Sequence, residues 1–181
     1  MRTAILITVA LMLVATAAVA DAKWPVDYVP GTPADVVERV GGEDMANAVA
    51  ITLDAAGMYS DTGNTCNFMD DYDEVCPYTG SLSPDVVYSW YACADGSLDI
   101  TLCAGSLYDT KLYVYDGAGA LVACNDDFCP SYVSELMAAN GEAVPVVMGE
   151  TYYIVVDGYG GDCGDYTIDI TGPQCTTAAD E

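Results

Sequence analysis

Residues 149–170 read GETYYIVVDGYGGDCGDYTIDI. Two runs rich in tyrosine and β-branched residues flank a turn of glycine and aspartate that holds one cysteine and no basic residue. Such runs read as strands, and the Gly/Asp cluster between them as the break in the chain. In the second run Tyr166, Ile168 and Ile170 alternate with Thr167 and Asp169, the period of a strand with one buried face.

The same texture extends backwards from this segment. Short alternating or β-rich runs occur at 48–53, 86–93, 98–103, 111–115, 120–124, 143–148, 152–156 and 166–170, separated by Asp- and Gly-rich turns. Leu98, Ile100 and Leu102 point one way and Asp99, Thr101 and Cys103 the other; residues 133–139 could pass for a helix, but 132–136 also alternate, so the segment is assigned to an edge strand. No long amphipathic helix interrupts the pattern. The expected fold is all-β, an antiparallel jelly-roll-like β-sandwich of about eight strands. It is placed at 44–172, after a Pro/Gly-containing leader or linker at 21–43 and before an acidic tail at 173–181.

Residues 1–20 have the layout of a secretory signal peptide: Arg2, an apolar stretch at 5–14, and Ala18-Val19-Ala20 as a small-residue cleavage site. The expected location is therefore secreted, extracellular or cell-surface, with no membrane span after cleavage. The mature chain, about 160 residues, is enough for one domain. Its bases are Lys23, Arg39 and Lys111, set against 28 acids, and the whole chain carries a formal charge of −24. Such a surface repels phosphate backbones and anionic lipid, so nucleic acid is not an expected partner. It calls for counter-ions, although many surface acids simply remain solvated.

All eight cysteines follow the signal peptide, and an even count in an exported chain implies a disulfide framework. Spacing favours two local bridges, Cys66–Cys76 around an acidic loop and Cys124–Cys129 around Asn125-Asp126-Asp127. Cys93 and Cys103 flank what reads as a hairpin with its turn at 94–97. That register sets Cys103 opposite about Tyr88, so the two do not pair. They are expected to reach Cys163 and Cys175, in an order the sequence leaves open.

No histidine is present, which removes Ser-His-Asp and Cys-His nucleophile systems and His-ligated zinc or haem. Asp61-Thr62-Gly63 matches the tripeptide of aspartic proteases, but it occurs once, in a polar setting. Paired-carboxylate hydrolysis on Asp61 is the rival class of function. No catalytic residue is assigned.

Calcium is the stronger chemistry, because a hard cation gathers about six to eight oxygens from carboxylates, amides and carbonyls on loops. Three clusters offer them: Asp70, Asp71, Asp73 and Glu74; Asn125, Asp126 and Asp127; and Asp157, Asp162 and Asp165. Asp109 and Asp116 bracket the run at 111–115 and can join the second. The candidate metal ligands are Asp109, Asp116, Asn125, Asp126, Asp127 and Asp157, and none follows the helix-loop-helix calcium spacing. The competing explanation is that these residues are ordinary turn formers. Tyr152, Tyr153, Tyr159 and Tyr166, with Tyr132, supply aromatic area that either packs within the sandwich or faces a ligand.

Several phrases occur together in one order: Asp85-Val86-Val87-Tyr88-Ser89-Trp90, Ser97-Leu98-Asp99-Ile100-Thr101-Leu102-Cys103, Tyr108-Asp109-Thr110-Lys111-Leu112-Tyr113-Val114-Tyr115-Asp116, Ala123-Cys124-Asn125-Asp126-Asp127 and Gly149-Glu150-Thr151-Tyr152-Tyr153-Ile154-Val155-Val156. Across 85–170 they resemble the bacterial pre-peptidase C-terminal domain, a secreted β-sandwich. The resemblance implies a non-catalytic accessory module that assists secretion or adhesion or binds a polymer, glycan or protein, with calcium in some relatives. No peptidase precedes the domain here. The expected function is a stand-alone, calcium-stabilised binding or cell-surface module, with an extracellular polymer or an envelope component as partner. The alternatives are the carboxylate hydrolase and a structural envelope or matrix component; the sequence leaves the oligomeric state open.

Overall fold

Ten strands form two sheets in the computed structural model, which describes residues 41–76 and 81–175. They are β1 (Val49–Ile51), β2 (Met58–Asn64), β3 (Val86–Tyr91), β4 (Gly96–Thr101), β5 (Thr110–Asp116), β6 (Leu121–Asn125), β7 (Glu135–Leu136), β8 (Val144–Val146), β9 (Thr151–Gly158) and β10 (Asp165–Thr171). The first sheet runs β1-β3-β9-β5-β6 and the second β2-β10-β4-β7, with β8 also paired to β4. Every pairing is antiparallel except β1 with β3. All eight expected runs are strands and the architecture is a β-sandwich. The expected signal peptide, the expected leader through residue 40 and the tail beyond Cys175 lie outside the described residues. Among the described residues, no helix is long and apolar enough to cross a membrane.

Alternation builds the core. Val86, Tyr88 and Trp90 of β3, Leu112 and Val114 of β5, and Tyr152, Ile154 and Val156 of β9 face Leu98 and Ile100 of β4 and Tyr166, Ile168 and Ile170 of β10. Buried aromatic and branched side chains of this kind each contribute roughly 1.5–3 kcal/mol. The Tyr88 hydroxyl meets that of Tyr166 at 2.6 Å, a hydrogen bond from one sheet to the other. β2 was not expected, because MYSDTGN is polar. It forms by pairing along all of β10, and Gly63 leaves the room that the Tyr166 ring occupies. Asp61 lies on β2, where its Oδ2 accepts from the hydroxyls of Tyr59 (2.8 Å) and Tyr88 (3.5 Å).

One expected hairpin is instead a crossing. β3 and β4 lie in different sheets, so the turn after Cys93 carries the chain across the sandwich; the turn in 149–170 likewise joins β9 of the first sheet to β10 of the second. This alters the cysteine geometry. The bridges are Cys66–Cys163, Cys76–Cys124, Cys93–Cys175 and Cys103–Cys129. Neither local bridge forms. Thr65 exchanges hydrogen bonds with Gly164, which sets Cys66 beside Cys163. Cys124 packs with the cluster on the outer face of the first sheet, where Cys76 covers it, while the chain beyond β6 carries Cys129 to Cys103 at the end of β4. Cys93–Cys175 is one of the pairs left open, but Cys103 reaches neither Cys163 nor Cys175, because Cys163 is taken by Cys66 and Cys103 bonds Cys129. Sequence separations of 97, 48, 82 and 26 residues make each bridge worth about 3–5 kcal/mol in chain-entropy terms.

The first sheet is buried on both faces, which explains the unbroken apolar run of β9. Its outer face carries Val87, Tyr113, Tyr115 and Val155, covered by Tyr72 and Cys76 of a strap formed by residues 69–76. Polar groups anchor this strap. Fully buried Lys111 donates from Nζ to the Glu74 carbonyl (2.9 Å), Tyr115 donates to Glu74 Oε1 (2.8 Å), and Asp85 Oδ2 accepts from the backbone N–H of Asp71 and Tyr72 (2.8 and 2.9 Å). Asp157, opposite Lys111 in the ladder, accepts from Tyr113 (2.8 Å), Ser81 (3.1 Å) and its neighbour Gly158 N–H.

Burial pushes the Asp85 carboxyl up to about 8, against the two N–H donors that lower it. Burial also pushes Asp157 up to about 7, against Tyr113, Gly158, Ser81 and Lys111. An unfolded aspartate titrates near about 4, so as pH rises the unfolded chain releases these protons first and the folded state loses stability. Stability therefore falls from about pH 4 to about pH 8, with the steepest part between the unfolded and folded values. Asp85→Asn should flatten this decline, raising stability at pH 8 relative to wild type while changing little at pH 4; urea midpoints at both values measure it. Tyr88→Phe should remove the inter-sheet bond at a cost of about 0.5–1.5 kcal/mol, read from the same urea curves.

Candidate cation site

At one end of the β5–β6 hairpin, three carboxylates converge. Asp109 immediately precedes β5, and Asp126 and Asp127 immediately follow β6; the antiparallel register that pairs Leu112 with Asn125 brings these ends together. An oxygen from each of Asp109, Asp126 and Asp127 lies within 4.8 Å of the others. Oxygens around a common calcium at about 2.4 Å are at most about 4.8 Å apart, so the spacing fits one ion.

The loops are fixed by hydrogen bonds that leave the carboxylates unused. Ser134 Oγ bridges the carbonyls of Thr110 and Asp126 (2.5 and 2.6 Å), Ser134 N–H donates to Thr110 Oγ1, and Thr110 N–H donates to the Tyr132 carbonyl. Cys129 is tied to Val133 by its N–H and to the second sheet by its bridge to Cys103. On the other side, β9 pairs with β5 and Tyr159 N–H donates to the Asp109 carbonyl (3.0 Å). These contacts hold the backbone. The Asp126 side chain, 2% exposed, has no hydrogen-bond partner at either oxygen, and Asp109 has none at Oδ1.

A buried carboxylate without a donor is costly to keep ionised, and here its neighbours are also acids. Burial, then the charges of Asp127 and Asp109, push Asp126 up to about 6, while Lys111 pulls the other way. Asp109 is raised by burial and then by Asp127 and Asp162. A cavity of about 160 Å³ opens over the cluster, lined by Asp109, Asp126, Asp127, Tyr132 and Tyr159. The residues suit a hard cation, since the eight cysteines are all in disulfides and only oxygen donors converge.

The other candidate ligands stand elsewhere. Asp116 lies at the far end of β5, where its Oδ1 accepts from the N–H groups of Ala118 and Ala120 in the hairpin turn. Asn125 receives the Glu135 N–H and donates to Glu142, bracing β6 against β7. Asp157 is sealed under the strap. In the acidic loop, Glu74 receives Tyr115 and Asp73 receives the Ser81 N–H, so they serve the strap. Asp165 bonds Asn64 (2.6 Å) across β10 and β2, whereas Asp162 lies close enough to act on Asp109. Tyr132 and Tyr159, grouped in the sequence as aromatic area, line this cavity, but their place beside the carboxylates was not legible, since it rests on the β5–β9 pairing. A larger cavity of about 600 Å³ by β1 is lined by Ile51, Leu53, Trp90, Tyr91 and Pro173; its one carboxylate, Asp54, is occupied by the N–H groups of Ala56 and Met58.

No family model matches the chain, and no curated protein matches it. Among solved structures, the pre-peptidase C-terminal domain of collagenase from Bacillus anthracis is similar at a TM-score of 0.44 and 13% identity, over 68% of this chain and 93% of that one. The likeness is distant in both measures. It is to a domain of the family that the motifs in 85–170 resemble.

Proposed function

We propose that this protein is an exported, non-catalytic β-sandwich binding module that takes up one calcium ion on Asp109, Asp126 and Asp127. The supporting observation is Asp126, almost wholly buried, with both oxygens unpartnered and beside two further carboxylates. A divalent cation removes that conflict, because it supplies the charge and the electrophile that the surrounding backbone does not. The four disulfides suit an oxidising, extracellular setting. Millimolar extracellular calcium matches the weak affinity of loop sites in exported modules.

The partner on this reading is an extracellular polymer or an envelope component. The hydrolase alternative, centred on Asp61, gains no support from the geometry around that residue, whose carboxylate is occupied by two tyrosine hydroxyls and the Thr62 N–H.

Calorimetric titration of chelator-stripped protein with calcium should give one site. At a hundredfold excess over Kd the folded state should gain about 2.7 kcal/mol. Asp126→Asn should weaken uptake at least tenfold, while Asp116→Asn, in the hairpin turn, should leave it unchanged. Absence of heat, with thermal unfolding identical in calcium and chelator, overturns the reading.

A further inference from the structure

The Asp109–Asp126–Asp127 cluster is an end of the molecule with an open side. Asp126 is almost wholly buried, Asp109 half-buried and Asp127 exposed, and although Asp126 and Asp127 also border a second cavity beside Asn125 and Glu142, all three carboxylates line the cavity under Tyr132 and Tyr159. Three carboxylates binding through one oxygen each leave about three to five of calcium's positions for other oxygens. Those positions face the cavity. Its rim is aromatic: Tyr132 is 64% exposed and Tyr159 40% exposed.

Tyr132 is also held in an unusual backbone. Ser131 and Tyr132 have φ of 70° and 62°, the left-handed region that a non-glycine residue enters at a cost of about 1–2 kcal/mol. The Thr110 N–H bond to the Tyr132 carbonyl and the Ser134 bonds beside it hold that conformation. The backbone that carries Tyr132 is thus held, and its ring stands uncovered at the rim of the cavity beside the carboxylates.

Charge selects the ligand. Three ionised carboxylates and one divalent cation leave a net charge of −1, Asp162 adds to it, and the whole chain carries −24. A carboxylate, phosphate or sulfate ligand meets repulsion here. A neutral ligand with paired oxygens does not. Resting on the calcium reading above, we propose that the loaded site binds a neutral polysaccharide: two adjacent hydroxyls of one sugar replace waters on the calcium, and the ring's C–H face packs on Tyr132 and Tyr159. No bond is made or broken. The hydroxyls remain protonated, and the displaced waters return to solvent.

The test uses the full mature chain and yeast mannan as the probe, with calcium uptake measured separately. Mannan-agarose should retain the protein in calcium and release it in chelator, and mannan whose vicinal diols have been cleaved by periodate and reduced by borohydride should not retain it. Tyr132→Ala and Tyr159→Ala should each bind calcium as wild type does and bind mannan about tenfold more weakly. If calcium is taken up but neither mannan nor neutral galactan and glucan is retained, this inference fails and the calcium reading stands. Retention that persists in chelator overturns the metal bridge. Failure to take up calcium overturns both. A lysine-rich peptide that binds in chelator and is displaced by calcium would instead assign the pocket to an ammonium group and overturn the diol.

Discussion

The rest of the structure depends on how the ammonium group of Lys111 is buried. It is the one base in the sequence between residues 41 and 175, it is fully buried, and it lies 5.4 Å from the centre of the Tyr113 ring with its Nζ bound to the Glu74 carbonyl. That bond holds the strap on the outer face of the first sheet. The same charge acts on Asp157, across the ladder, and on Asp126, beyond the end of β6. One positive charge is shared by carboxylates that burial has removed from water. A buried charge needs a partner or a proton, and here there are more carboxylates than bases.

The acids around Lys111 lie at one end of the first sheet and settle this shortage in two ways. Under the strap, Asp85 and Asp157 have backbone and hydroxyl donors, with Asp85 Oδ1 left unpartnered, and burial keeps both protonated until near or above neutrality. In the loops, Asp126 has no donor and faces a cavity with two further acids. The disulfides fix both arrangements. Cys76–Cys124 ties the strap to β6, and Cys103–Cys129 ties the loop after Asp127 to the second sheet. The carboxylates of the loops therefore cannot readily separate to relieve their repulsion, and a cation or a proton must do so.

Period-two alternation reads β4 and β10, where one face is buried and a slip would expose it, whereas β3, β5 and β9, buried on both faces, read as continuous β-rich runs. Leu98, Ile100, Tyr166, Ile168 and Ile170 lie inside as their spacing indicates. The pairing of strands was less legible. The short turn after Cys93 reads as a hairpin, yet it and the turn within 158–165 each cross between sheets, and the cysteines follow the crossing instead of the sequence spacing. β2 was hidden because its residues are polar and its stability comes from pairing along β10. In the site, Asp109, Asp126 and Asp127 were legible from their positions around one hairpin. Asp116 and Asp157 have the same chemistry but serve a turn and a buried layer, a difference that only the register and the strap create.

The cluster invites comparison with paired-carboxylate catalysis, since Asp126 is raised to about 6 beside two other acids. General acid catalysis requires that proton to be retained at the reacting bond, usually in an apolar pocket. Calcium requires its loss. The two uses of one trio exclude each other at any calcium concentration above Kd. The surroundings favour the ion: the cavity is small, two of its five lining residues beside Asp126 are further carboxylates, and the rest are tyrosines open to solvent. Every carboxylate oxygen in the group is a hard donor. On the proposed reading, export into millimolar calcium would decide which form of the trio is populated.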